Sequence, residues 1–198
     1  SKQDFTNPCE NTTSEIQIKT TIPQLDQGKE LDASIRRSLA LANITENYPP
    51  ETWTHVYTDG SATKAITDGG AGIIIQYPSG ATQTASSVTG KHCTNYRAET
   101  EALMQASLLV KDSLEPCSPT VFLTDALSVL DALQTNKSPR LATQMQELCN
   151  TCRVVLQWIS AHCGIPGNEQ ADQLAKCGAQ EEQPSTSIHY QEKTTIIK

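Results

Sequence analysis

The sequence predicts an α/β protein: a five-stranded mixed sheet, its first three strands antiparallel, flanked by helices in the order βββαβα(α)βα. Three observations predict it. Three β-prone segments follow one another closely between residues 54 and 88, separated by turn signals. Beyond them, short apolar strands alternate with segments of 3.6-residue hydrophobic period. The order of these segments, a meander followed by strand–helix alternation, fits a mixed sheet with helices on its faces.

Each element has its own signal. Thr54–Thr58 (THVYT) carries strand-forming residues and ends at Asp59-Gly60-Ser61. Gly70–Tyr77 (GAGIIIQY) is a second strand, stopped by Pro78-Ser79-Gly80. Ala81–Val88 alternates small, polar and β-branched residues and can pair back as a third. Arg97–Val110 is a helix: Ala98, Ala102, Leu103, Ala106, Leu109 and Val110 keep the helical period. Thr120–Thr124 (TVFLT) is a short buried strand. Leu127–Gln134 and Arg140–Thr151 are helices, joined directly by TNKSP (Thr135–Pro139) with no basic helix between them. Arg153–Trp158 is the fifth strand, and Pro166–Ala179 the last helix.

The flanks read differently. Residues 1–50 are polar and mixed, with one weak amphipathic stretch, Leu31–Ala42, broken by Tyr48-Pro49-Pro50. They are expected to form a linker or an upstream helix that docks elsewhere. The expected domain is 51–180, and 181–198 is expected to be a disordered tail. An initial Ser1 fits a fragment of a longer protein. The longest apolar run, Ala71–Ile75, is far shorter than the ~20 residues a membrane helix needs, and the N-terminus lacks the apolar core of a signal peptide. Seven cysteines are too few for a small disulfide scaffold and odd in number. They are expected to be mostly reduced thiols of an intracellular protein, in nucleus or cytoplasm. Cys149 and Cys152 form a lone CxxC, read as packing and not as a zinc knuckle. Without a secretory signal, the sequons at Asn11 and Asn43 carry no weight.

The placement of four carboxylates is the informative feature. Asp59 ends the first strand and precedes Gly60-Ser61, where backbone can approach a ligand. Glu99 is expected in the first turn of the first helix, Asp125 ends the fourth strand, and Asp172 lies in the last helix. Strand ends are the usual site position in sheet-and-helix folds. If the sheet brings the four together, their charges crowd, and hard divalent cations relieve the crowding. Mg²⁺ best suits carboxylate oxygens, and two such ions suit phosphodiester hydrolysis. Taken singly, each acid also fits a plain structural role: Asp59 a turn, Glu99 a helix-dipole partner, Asp125 a helix cap, Asp172 a solvated face.

The residues around these acids resemble a known family. YTDGSA (Tyr57–Ala62), TNYRAE (Thr94–Glu99), FLTDALSVL (Phe122–Leu130) and WISAHCGIPGNEQADQLAK (Trp158–Lys176) are similar to the four ordered motifs of type 1 ribonucleases H. The last motif most resembles the ribonuclease H domain of non-LTR retrotransposon polyproteins, in which a reverse transcriptase lies upstream. The resemblance covers about two thirds of the chain and implies a ribonuclease H-like fold. It implies that Asp59, Glu99, Asp125 and Asp172 hold two Mg²⁺ ions, with Mn²⁺ able to substitute. It implies that His162 assists proton movement or product release. Gly60, Ser61, Thr94 and Asn95 would contact substrate, and Asn168 and Glu169 are second-tier candidates that could also cap the last helix. For Thr94 and Asn95 an ordinary helix-start turn is the competing role.

The implied reaction cleaves the RNA strand of an RNA–DNA hybrid, leaving a 3′-hydroxyl and a 5′-phosphate. The implied partners are that hybrid and a reverse transcriptase domain, with no membrane. Two departures bear on it. Ala126 and Leu127 stand where the family often has polar residues that contact the hybrid. Residues 51–180 carry 12 acids and 8 bases, net −4, where a nucleic-acid binder usually shows a basic patch. Weak, salt-sensitive binding by the isolated domain is the expectation. The alternative, a catalytically silent ribonuclease H-like module that binds nucleic acid, draws on the net −4 and on the absence, at Thr135–Pro139, of the additional basic helix with which some ribonucleases H grip substrate. A DNA strand-transfer enzyme of the same general fold is a third reading, less well matched by TNYRAE and the histidine loop.

Overall fold

The structure, a computed structural model, describes residues 15–25, 31–64, 67–113, 115 and 118–183. Eleven elements are formed among them: β1 (Gln17–Lys19), α1 (Ala33–Asn47), β2 (Thr54–Thr63), β3 (Thr67–Gln76), β4 (Thr82–Gly90), α2 (Asn95–Lys111), β5 (Thr120–Thr124), α3 (Leu127–Gln134), α4 (Pro139–Cys149), β6 (Val154–Trp158) and α5 (Pro166–Gln180). The sheet runs β1-β6-β5-β2-β3-β4. The meander β2–β3–β4 is antiparallel, while β1, β6, β5 and β2 are parallel to one another.

Period-two alternation divides the sheet between two cores. Val56, Phe122, Val154 and Leu156 face one side, covered by Leu103 of α2, Leu130 of α3 and Leu141 and Met145 of α4. Tyr57, Val121, Leu123 and Val155 face the other, with Ala40 and Ile44 of α1 and Ala171 of α5. Gly72 lets α5 lie close on β3: a Cβ there would come 2.0 Å from the Ala171 carbonyl oxygen.

The sheet has six strands where the sequence suggests five. The added strand, β1, is three residues long, too short for a legible alternation, and pairs with β6 from Gln17↔Val155 to Lys19↔Gln157. Its neighbours are fastened to the same strand. The buried Gln157 donates from Nε2 to the Thr21 carbonyl at 3.1 Å and accepts from the Tyr48 hydroxyl at 2.9 Å. The segment 15–48, read from sequence as a linker or a helix docking elsewhere, thus supplies an edge strand and a helix packed on this sheet. Its buried anchors among the described residues are few and widely spaced (Ile22, Ala40, Ile44, Tyr48), so its periodicity is weak.

Boundaries moved where side chains cap or pair. The Thr94 hydroxyl accepts from the Arg97 amide at 3.2 Å, so α2 starts at Asn95 and Glu99 falls in its second turn, not its first. Strand β2 runs through Asp59-Gly60-Ser61 to Thr63, because β3 pairs along it throughout. Residues 135–138 link α3 to α4 directly. No helix among the described residues is long and apolar enough to cross a membrane. Of the expected tail, 184–198 lies outside the described residues, as does the sequon at Asn11.

Candidate active site

The parallel register of the two central strands builds the site. Tyr57 of β2 lies level with Leu123 of β5, so two residues further along, Asp59 and Asp125 emerge side by side. Glu99 reaches the same point from α2. That helix crosses β2 in near contact: a Cβ on Gly60 would lie 2.1 Å from the Glu99 amide nitrogen, so only glycine fits there. Asp59, Glu99 and Asp125 each offer a carboxylate oxygen, all within 4.8 Å of one another. They line a cleft of about 550 Å³ together with Ser61, Asn95, His162 and Asp172.

Burial and crowding set the charge state. Asp59 is pushed up to about 7, first by burial; the Asp125 and Asp172 charges add to this, while a hydrogen bond with Glu99 opposes it. Glu99 is pushed well above its ordinary value, again by burial first and then by the Asp59 charge. Asp125 is raised by burial but held back by hydrogen bonding to Asn168 and by facing His162. Without a cation the group therefore retains protons that ordinary carboxylates would release. The buried Glu99 Oε2 has no hydrogen-bond partner. An unpaired buried oxygen among three crowded carboxylates fits a hard divalent cation, which supplies the missing positive charge.

The other expected residues distribute unevenly. Asp172 lines the cleft but stands outside the three-carboxylate group, and its Oδ2 accepts from Lys176 Nζ at 2.6 Å. Lys176 is a cleft residue the sequence reading passed over; its i,i+4 spacing from Asp172 was the available signal. Gly60 directs its N–H inward to Asp59 Oδ1 at 2.9 Å. Ser61 lines the cleft. Asn95 also lines it, with Oδ1 bracing β2 by accepting from the Ala62 amide at 2.9 Å. Thr94 caps α2 and is not among the cleft-lining residues. Asn168 is buried behind the acids, donating to Asp125 Oδ2 at 3.3 Å. Glu169, in the first turn of α5, accepts from the Gly164 amide at 3.3 Å and so braces the histidine loop. Asp125 does not cap α3, whose N-cap position is Ala126. Tyr96, exposed and not singled out from the sequence, also lines the cleft, as do Ala126 and Leu127, the apolar pair noted after Asp125.

The RNase H family model matches residues 51–180, the span that carries every residue of this cleft. The chain belongs to the RNase H family. Among curated RNase H relatives, it is 32% identical over 138 residues to ribonuclease HI of Synechocystis sp., covering 61% of this chain and 83% of that protein. It is 28% identical over 145 residues to ribonuclease H of Pseudomonas putida, covering 64% and 93%. Two solved structures share the RNase H fold. RNase H1 of Halobacterium salinarum aligns with a TM-score of 0.53 at 19% identity, over 64% of this chain and 96% of that one. The N-terminal RNase H domain of a Mycobacterium tuberculosis protein aligns at 0.52 and 20%, over 65% and 94%. Membership makes this chain a hydrolase of the ribonuclease H class.

Proposed function

We propose that the protein hydrolyses the RNA strand of RNA–DNA hybrids, leaving 3′-hydroxyl and 5′-phosphate ends. The observation that carries this reading is the convergence of Asp59, Glu99 and Asp125 within 4.8 Å in an open cleft of an RNase H family member. The relatives named ribonuclease H and HI support the reaction class.

Asp59, Glu99 and Asp125 would hold the metal, and Asp172 would join them on leaving Lys176. Bound there, two divalent ions, Mg²⁺ by the hardness of the oxygen donors with Mn²⁺ able to substitute, would activate water and stabilise the attacking and departing oxygens. The chain's own groups do the rest. Water adds to the scissile phosphorus, the P–O3′ bond breaks, and O3′ leaves as a hydroxyl once it gains a proton. The exposed imidazole of His162, which lines the same cleft as Asp125, would carry that proton between solvent and the reacting phosphate. Asn168 holds the Asp125 carboxylate in orientation. Ser61 and Asn95, polar residues of the cleft wall, are candidates for sugar–phosphate contact, where 2′-hydroxyls distinguish RNA.

The wording of the Trp158–Lys176 motif supports a finer reading. On it, the domain serves a non-LTR retrotransposon polyprotein, acts beside a reverse transcriptase, and works in the nucleus or cytoplasm.

The test is cleavage of an end-labelled RNA–DNA hybrid with Mg²⁺, beside single-stranded RNA, duplex RNA and duplex DNA, with Asp59→Asn as control. The expected result is cleavage of the hybrid's RNA strand alone, lost in the variant. Hybrid binding without cleavage at any metal or salt concentration would replace this reading with a silent binding module.

A further inference from the structure

We propose that helix α1, which precedes the family-matched segment, positions the histidine loop of the active site, with Arg36 as the positioning residue; this rests on the hydrolase reading above. The loop runs from Ile159 to Ile165, between β6 and α5. Ile159, Ser160, Cys163 and Ile165 in it are buried, Ala161 and Gly164 are half-buried, and His162 is exposed. His162 has φ +49°, in the left-handed region that a non-glycine residue enters at a cost. Such a backbone persists only where its surroundings hold it.

Two sides hold it. From α5, Glu169 accepts from the Gly164 amide. From α1, Arg36 Nη1 donates to the Ser160 hydroxyl at 3.0 Å. One residue on, the aliphatic stem of Arg37 lies over Gly164: a Cβ built there would be 3.5 Å from Arg37 Cδ. Ala40 and Ile44 of α1 share an apolar cluster with Ile159, Cys163 and Ile165. The ends of the segment are fastened to β6, the strand that delivers the loop, through Thr21, Tyr48 and Gln157.

Packing alone does not explain Arg36. Ala40 and Ile44 already seat the helix, whereas Arg36 has Nε buried without a hydrogen-bond partner. An unpaired buried guanidinium nitrogen is a cost that a purely structural anchor has no need to carry. Its one side-chain hydrogen bond among the described residues goes to the residue two positions before His162. Arg36 therefore fixes Ser160, Ser160 fixes the loop entry, and His162 inherits its orientation over Asp125.

The test uses the full chain. Arg36→Met keeps the apolar stem and removes the guanidinium; Ser160→Ala removes the acceptor with no change of charge. Each is expected to lower kcat on an RNA–DNA hybrid roughly tenfold through misplacement of His162, with KM little changed. Arg36→Lys should recover part of the loss. In a His162→Ala background the same substitutions should change kcat by less than about twofold, since Arg36 acts only through His162. Amide hydrogen exchange reads the clamp without catalysis: Arg36→Met should speed exchange across 159–165 and leave β2 and β5 unchanged. Equal losses in both backgrounds, or unchanged exchange in the loop, would overturn the proposal. If the wild-type chain cleaves no hybrid, the hydrolase reading falls, and exchange still decides whether α1 clamps the loop.

Discussion

Removing the Asp59 charge should make the metal-free protein more stable while abolishing its activity. A carboxyl raised from 3.8 to about 7 corresponds to roughly 4 kcal/mol of strain on ionisation, at about 1.36 kcal/mol per pH unit. Glu99 shares the burial and the repulsion, and asparagine keeps a dipole that must still be satisfied, so about half of this should be recovered. For a chain of 198 residues, ~2 kcal/mol moves Tm by roughly 4–8 °C. The direction follows from proton counting. Between pH 3.8 and about 7 the folded chain keeps a proton at Asp59 that the unfolded chain releases. Rising pH therefore favours unfolding across that window, and the full penalty is present above it. The assay is thermal unfolding of wild type and Asp59→Asn in chelator, at about pH 8 and about pH 4. The variant should melt higher at the upper pH and lose its advantage at the lower. Saturating Mg²⁺ should erase or reverse the gap, because binding stabilises only the chain that retains the ligand. A variant that melts at or below wild type in chelator at the upper pH would refute the crowding argument. So would an advantage that survives acidification or saturating Mg²⁺ unchanged.

Three further substitutions probe separate links. His162→Ala should slow hybrid cleavage roughly a hundredfold, while calorimetric Mg²⁺ affinity stays unchanged, as befits a proton carrier; a collapse of metal affinity would make His162 a ligand instead. Gly60→Ala would drive a methyl group to 2.1 Å from the Glu99 amide nitrogen. Prying α2 from β2 should cost about 2–3 kcal/mol in urea unfolding and lower kcat with it; a well-folded, fully active variant would contradict the close approach. His55 is buried with Nε2 2.7 Å from the Tyr48 carbonyl oxygen, and burial lowers its pKa below 6.5. The unfolded chain then takes up a proton first as pH falls, so this contribution to stability is lost downward from about 6.5. His55→Gln should shrink the stability difference between about pH 7 and about pH 5, read from denaturant midpoints; an unchanged difference would show that His55 does not drive it.

The positions of the candidate site residues were legible in the chain because each sits beside a local signal. Asp59 follows a β-prone run and precedes Gly60; Asp125 follows TVFLT; His162 lies between a strand and a helix opened by Pro166. These are short-range patterns, and the elements they define formed within a few residues of the expected bounds. Glu99 moved from the first turn to the second, because a hydroxyl cap at Thr94 outweighed the hydrophobic period in setting the start of α2. The N-terminal segment was hardest to read. Three strand residues and four scattered anchors carry no period, and the partner that gives them meaning, β6, lies more than a hundred residues further on.

The sequence by itself determined the fold class and the order of the elements from Thr54 onward, since these depend on neighbours a few residues apart, while the resemblance of its four ordered motifs singled out the candidate carboxylates and histidine. Only the tertiary structure decided which acids meet. Register between two parallel strands set Asp59 beside Asp125, and the close crossing of α2 at Gly60 added Glu99. The pairing of Asp172 with Lys176 left it at the margin. Tertiary structure alone also joined Arg36 to Ser160, across 124 residues. Such contacts arise from the closing of long loops, whose outcome no local pattern encodes.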